Sequence, residues 1–295
     1  MAEEESEQMD EFSSDEYIVR RKKAPQQAMK VTAAGLAKTA AQAFEEMRAK
    51  APRVECFAHP YQAALVANAL LAAGAVPEFA EDSGEATQLA GLTDALFASV
   101  GVVAKPQAEA IRAAVARANS AQKPWVLDPD DAGELSLRGY VAKELMRRYP
   151  SIIRGTPGEM LALSGLEAPD GDVVAHAAPR LAAVTRAAVL TAGAEDRLYG
   201  ENAPEVIIKN GTPLFANIAG IGAAQGAIAA AILSVVGRAR RYEAAAAASI
   251  AVSVAGEMAA AKAKSPGSFA VAFIDALGDL KPGDLAKRAK LEVVA

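Results

Sequence analysis

Short apolar segments alternate with alanine-rich, helix-forming ones along most of this chain, and few folds accommodate that pattern. Val54 to Phe57, Ala75 to Phe79, Ala95 to Val100, Trp125 to Leu127, Ile152 to Ile153 and Ala187 to Leu190 read as strands, with helical periodicity between them. Strands joined by helical crossovers pair in parallel, so the expected architecture is a layered α/β fold with a mostly parallel central sheet flanked by helices. Upstream, Val31 to Lys50 has helical spacing and Pro52 closes it. Downstream, Arg197 to Tyr199 and Glu205 to Ile208 lie close together with Asn210-Gly211 after them, which predicts antiparallel edge strands and a turn. Beyond Gly220 the chain reads as helical to about Gly278, including an alanine-rich helix from Tyr242 to Lys264 whose alanines permit close packing.

Residues 31–295 are expected to form one domain, because 295 residues at 52% hydrophobic content can bury a substantial core. Residues 1–30 are expected to be a disordered tail: Met1 to Glu16 is mostly Glu, Asp and Ser, and Arg20-Arg21-Lys22-Lys23 follows. A net charge of −5 gives no general drive toward nucleic acid or acidic membrane, leaving a small molecule as the expected partner. Cys56 is the single cysteine and the start lacks a signal-peptide pattern, so a cytoplasmic protein is expected. The most apolar long stretch, Ile218 to Val236, is broken by Gln225 and reads as a buried helix.

Ligands of open parallel sheets bind beyond the carboxyl ends of the strands, so the loops at His59, Asp128, Arg154, Thr191 and Gly220 should converge on one crevice. Within Asn217 to Gly226, Gly220 and Gly222 free backbone N–H groups at the start of a helix, a combination that favours an anion. Leu127-Asp128-Pro129 places a carboxylate just past a strand, a usual station for holding Mg²⁺ beside a polyphosphate. Arg154-Gly155-Thr156-Pro157-Gly158-Glu159 adds a cation for phosphate and a second carboxylate. The same segment also reads as a helix cap, with Thr156 as N-cap and Glu159 completing a capping box, and the two readings are compatible. Thr191 supplies a hydroxyl at the same sheet edge or serves as an ordinary turn residue. Cys56-x-x-His59 lacks the partners for a zinc set, and Gly220-x-Gly222-x-x-x-Gly226 lacks the second strand of a dinucleotide fingerprint.

In their order and spacing these residues resemble the hydroxyethylthiazole kinase family of ribokinase-like fold. The resemblance runs from about Val54 to the C-terminal region through Ala67 to Ala75, Leu127-Asp128-Pro129, Ile153-Arg154-Gly155 with Glu159, Leu190-Thr191, Asn210-Gly211 and Ser265 to Phe269. It implies ATP- and Mg²⁺-dependent phosphorylation of a small heterocyclic alcohol in thiamine salvage, by a homotrimer. It further implies Asp128 and Glu159 as Mg²⁺-associated carboxylates, Arg154 and Thr191 as nucleotide-phosphate contacts, and Gly220 and Gly222 as the anion hole. His59, Phe79 and Gly220 fall at substrate-side positions, with Phe57-Ala58-His59 where the family reads Ile-Thr-Asn and Phe79 where it has Met. Where the family's anion hole ends in Cys, or Asp in relatives, as proton acceptor, this chain has Ala223, and Asp130-Asp131 adds two carboxylates beside the triphosphate position. Loss of a positioned base typically costs about 10²–10⁴-fold in rate. Three functions therefore stand: a kinase of the hydroxyethylthiazole type, a catalytically silent pseudokinase that binds nucleotide or a thiazole-like ligand, and a nucleotide-dependent dehydratase of damaged nicotinamide cofactors.

Overall fold

A computed structural model describes residues 28–101, 104–133, 136–166 and 173–294. The expected tail therefore falls almost wholly outside the described residues; at its end, the Met29 N–H donates to the Asn202 carbonyl at 2.8 Å. The first half of the chain runs α1 (Ala33–Lys50), β1 (Arg53–Phe57), α2 (Pro60–Ala73), β2 (Val76–Glu78), α3 (Ser83–Leu92), β3 (Ala95–Ser99), α4 (Lys105–Ser120), β4 (Trp125–Asp128) and α5 (Ser136–Met146). It continues through β5 (Ile152–Gly155), α6 (Pro157–Ser164), α7 (Val173–Thr185), β6 (Ala188–Thr191), β7 (Asp196–Gly200) and β8 (Ala203–Ile208). The C-terminal part is α8 (Ile221–Val236), α9 (Arg241–Lys262), α10 (Pro266–Asp279), α11 (Pro282–Arg288) and β9 (Leu291–Val294).

The strands form one nine-stranded sheet in the order β2-β1-β3-β4-β5-β6-β7-β8-β9. Pairing is parallel from β2 to β6 and antiparallel from β6 to β9. This is the mostly parallel, helix-flanked sheet that the alternating sequence implies. Both faces are covered, and the strand sequences divide between them with a period of two. Val54, Cys56, Phe97, Val126, Ile152, Ala188 and Leu190 face a layer of α1, α2 and α8 to α11. Phe57, Leu96, Ala98, Trp125, Leu127, Ile153 and Val189 face a layer of α3 to α7.

Local chemistry sets the element ends. The Thr32 hydroxyl caps α1 by accepting the Gly35 N–H at 3.1 Å, and Ala51 turns into the left-handed region before Pro52. The Ala-rich helix is α9, whose residues Ala244 to Ala248 are fully buried. By length and composition the segment Arg238–Lys262 could cross a membrane, but 78% of its most apolar window is buried inside the fold, so it is a core helix.

Two sequence expectations change at the last strands. The hairpin between β7 and β8 turns at Glu201-Asn202, whereas Asn210-Gly211 leads the chain away from β8. The Asn210 side chain is buried, donating to the Arg288 carbonyl at 2.8 Å and accepting the Lys290 N–H at 2.7 Å. That anchor seats β9 against β8, so β8 is interior to the sheet and β9 is its edge.

Glu55 stands out within β1. Its side chain is fully buried, and neither carboxylate oxygen has a hydrogen-bond partner among the described residues. Burial pushes its pKa up to about 8, against the opposing charge of Lys123. Folding therefore favours the protonated carboxyl: its contribution is complete below about 4.5 and is lost as pH rises toward about 8. Glu55→Gln should abolish that loss, becoming more stable than the wild type by on the order of 2 kcal/mol at pH 8 while differing little at pH 4.5. Urea unfolding at the two pH values measures this; an equal difference at both would show that Glu55 is already ionised in the fold.

Candidate active site

A cleft of about 620 Å³ opens beyond the carboxyl ends of β5 and β6. Arg154 and Thr156 line one side, Ala192 to Ala194 follow β6, and Gly220, Ile221, Gly222 and Gln225 bring in the first turn of α8. The segment after β8, from Lys209 to Ile218, closes the rest. Gly220 is the N-cap of α8 with φ of +93°, a left-handed conformation that costs glycine least, and no side chain caps this helix end. The first N–H groups of a helix have no intrahelical carbonyls to meet, so the start of α8 presents uncapped donors and positive partial charge to the cleft.

Arg154 makes that positive field stronger. Its guanidinium lies across Gly222, where a Cβ would come within 2.3 Å of Nη1. Two positive groups in contact repel unless something holds them, and a buried chain of polar groups does so. Arg154 Nη1 lies 3.8 Å from Asp128 Oδ2, with both side chains largely buried. Arg154 Nε donates to Gln225 Oε1 at 3.0 Å, and Gln225 Nε2 donates to Asp196 Oδ2 at 2.7 Å. Ser249 Oγ of α9 donates to the same Asp196 oxygen at 2.6 Å. Asp196, Gln225 and Ser249 are all buried, so each needs its partners. From the sequence none of the three has a role in the site, and Gln225 is noted only as a break in an apolar stretch. Their common signal is a polar residue inside an apolar run: Gln225 in Ile221–Val236, and Ser249 after five alanines.

Beside the cleft the acidic residues group differently from the sequence expectation. Asp128, at the end of β4, is buried, pairs with Arg154, and accepts the Asp130 N–H at 3.3 Å. Burial raises its pKa to about 7, with Arg154 opposing and Asp130 and Glu159 adding to the rise. Glu159 instead groups with Asp130 and Asp131, each offering a carboxylate oxygen within 4.8 Å of the others. Glu159 also completes the expected capping box: Oε2 accepts the Thr156 N–H at 2.6 Å while Thr156 Oγ1 accepts the Glu159 N–H at 3.4 Å. Its other oxygen accepts the Asp131 N–H at 3.0 Å. Asp130 is pushed above the usual carboxylate range by burial and then by Asp131 and Glu159. Arg138 pairs with Asp131 at 2.8 Å, one cation against three carboxylates, and three hard oxygen donors crowded together suit a divalent cation such as Mg²⁺.

The remaining predicted residues are less central. Thr191 is buried at the end of β6, its hydroxyl donating to the Arg197 carbonyl at 3.3 Å. Ala223 is 4% exposed, a methyl group in the first turn of α8. His59 caps α2, Nδ1 accepting the Tyr61 N–H at 3.3 Å, with the two rings 3.9 Å apart. Phe79 follows β2 and is 44% exposed. Neither His59 nor Phe79 lines the cleft; Gln62 of α2 reaches toward it instead, its Nε2 donating to Asp130 Oδ2 at 3.3 Å and its backbone packing under Gly220.

Known proteins resemble this chain in sequence and in fold. The model of the hydroxyethylthiazole kinase family matches residues 44–282. A hydroxyethylthiazole kinase of Akkermansia muciniphila is 38% identical over 256 residues, covering 83% of this chain and 93% of its own length. Among solved structures, a hydroxyethylthiazole kinase protein of Pyrococcus horikoshii superposes with a TM-score of 0.82 at 28% identity, covering 88% of this chain and 100% of that one. A ribokinase-like superfamily protein of Enterococcus faecalis shares the fold at 13% identity, with a TM-score of 0.57 over 88% of this chain and 99% of that one. By sequence and by fold, the chain belongs to the hydroxyethylthiazole kinase family.

Proposed function

We propose that this protein transfers the γ-phosphoryl group of ATP to the hydroxyl of hydroxyethylthiazole or a close heterocyclic alcohol, in the cytoplasm and with Mg²⁺. One observation carries the reading: the Arg154 guanidinium and the uncapped N-terminus of α8 meet at Gly222 on one cleft, a juxtaposition that favours an anion. Family membership supplies the reaction, and the relatives named as hydroxyethylthiazole kinases favour turnover over a silent binding protein.

Phosphoryl transfer asks a protein mainly to position its substrates and to neutralise charge. Here Arg154 and the N–H groups after Gly220 would hold phosphate oxygens, with Gln225, Asp196 and Ser249 fixing the Arg154 orientation. Asp130, Asp131 and Glu159 would repel ATP on their own, and are the residues that would hold Mg²⁺, with Asp128 beside them. The cation, when bound, neutralises charge on the transferring phosphates. Ala223 offers no proton acceptor, so the alcohol proton leaves without help from that position. We also infer a homotrimer, supported by Tyr61 and Leu71 of α2 and Phe79 after β2, large hydrophobics left exposed. A light-scattering mass of one subunit would remove that inference.

Calorimetric titration with Mg·ATP and then hydroxyethylthiazole, followed by a product assay on the same sample, tests the reading; binding without product would leave a silent family member. Gly222→Ala should weaken Mg·ATP binding by about tenfold or more, because the new methyl displaces Arg154. Glu159→Gln keeps an acceptor for the capping bond but removes a charge and the acceptor of the Asp131 N–H, so it should raise the Mg²⁺ concentration needed for ATP binding while lowering the thermal midpoint by only about 2–4 °C. Ala223→Cys should raise kcat by about 10²-fold, the lower end of what a positioned base supplies; an unchanged kcat would show that proton removal does not limit the reaction.

A further inference from the structure

A second cavity, of about 330 Å³, lies at the opposite end of the sheet from the cleft. Tyr149, Ser151, Arg186, Glu201, Arg238 and Arg241 line it. It collects residues that immediately precede β5 and β6, the turn after β7, and the connection from α8 to α9. Three guanidiniums face one carboxylate there, a local excess of two positive charges in a chain whose net charge is −5.

The single acid neutralises only one of them. Arg186 Nε lies 3.7 Å from Glu201 Oε1. Arg238 has neutral partners instead: its Nε approaches Ser151 Oγ at 3.4 Å and its Nη2 approaches Asn119 Oδ1 at 3.5 Å. Arg241 Nη1 donates to the Arg238 carbonyl at 3.1 Å. Among the described residues, neither Arg238 nor Arg241 forms an ion pair with a carboxylate. Burial, followed by the neighbouring Arg241 charge, shifts the Arg238 guanidinium below its ordinary value, the direction expected of a cation held without a counter-ion. The wall itself is fixed in unusual backbone: Tyr149 and Arg186 both have positive φ, at +60° and +61°, which turns each out of the regular path just before its strand.

We propose that this cavity is a second anion site, taking a small di- or polyphosphate through Arg186, Arg238 and Arg241. Guanidiniums match phosphate oxygens in pairs, and a diphosphate supplies the two or more negative charges that the three arginines lack. The site is independent of the kinase reading, since it shares no residue with the cleft around Arg154.

Inorganic pyrophosphate is the probe, titrated into the full chain in the presence of EDTA. The Arg154→Gln background weakens the cleft as a competing site. Arg154→Gln should bind one pyrophosphate, and the wild type at least that one, with an affinity that falls steeply with salt. Arg186→Gln with Arg241→Gln should weaken that binding at least tenfold while leaving Mg·ATP binding unchanged. Pyrophosphate should also protect Arg186 and Arg241 from phenylglyoxal, read by peptide mass spectrometry, a readout that does not depend on how Arg154→Gln folds. No binding at millimolar pyrophosphate, equal affinity in the double variant, or protection confined to Arg154 would each overturn the proposal.

Discussion

The close approach of α8 to the sheet is the constraint from which both the core and the site follow. Gly222 and Gly226 lie one helical turn apart on the face that meets the strands, and neither leaves room for a side chain. A Cβ at Gly226 would come within 2.4 Å of the Phe97 ring, and one at Gly222 within 2.3 Å of Arg154. Phe97 is fully buried on β3, so the contact that seats α8 over the sheet centre is the same one that brings its N-terminus to the ends of β5 and β6. Packing has thereby fixed a repulsive electrostatic contact, with a guanidinium pressed on the positive end of a helix. The fold sustains it through Asp128 on one side and the Gln225–Asp196–Ser249 chain on the other. Each group in that chain is buried, so its hydrogen bonds cannot be exchanged for water, and the arrangement remains in place before any ligand arrives.

This division of labour explains how the chain keeps a kinase framework with an alanine at position 223. In the proposed reaction, binding and charge neutralisation would rest on backbone N–H groups, Arg154 and the acidic trio, none of which needs a side chain at that residue. A methyl there fits the buried first turn of α8, where a charged group would have to displace the close packing around Gly222 or find a partner. The acid pair Asp130-Asp131 would act in the opposite sense, adding negative charge close to the proposed phosphate position. Burial and mutual repulsion push Asp130 above the usual carboxylate range, and a bound cation would favour the ionised carboxylate.

Much of this was legible in the sequence because parallel strands buried on both faces have to be apolar throughout. Ala95 to Val100 and Ala187 to Leu190 could hardly be anything else. The carboxyl ends of β4 and β5 then point to Asp128 and Arg154 as site candidates, and the glycine pattern before α8 points to Gly220. What the sequence concealed depends on contacts distant along the chain. β9 is a four-residue strand that pairs with the edge of β8 and packs Leu291 and Val293 against the core, and Asn210, 80 residues away from Lys290, anchors it there. Asn210-Gly211 has the composition of a hairpin turn, yet the Asn side chain is consumed in that anchor. Likewise Glu159 was legible as a cap, but its grouping with Asp131 depends on Asp131 taking φ of +61°, a conformation that composition does not announce.

The two ends of the sheet show the same electrostatic problem solved to different degrees. Helices favour negative charge at their N-termini, yet Arg154 lies on the start of α8, and Arg238, Arg240 and Arg241 gather where α9 begins. Because α8 runs away from the cleft and α9 returns toward it, the chain places one such cationic helix start at each end of β5 and β6. At the cleft, a buried aspartate and a polar chain hold the cation in position. At the other end Glu201 meets only Arg186, and Arg238 rests on a serine and an asparagine. Neutral acceptors orient a guanidinium without cancelling its charge, so the positive potential there persists into solvent. A fold with an excess of acid elsewhere on its surface had many carboxylates to spend on those arginines, and its geometry instead leaves them facing an open cavity.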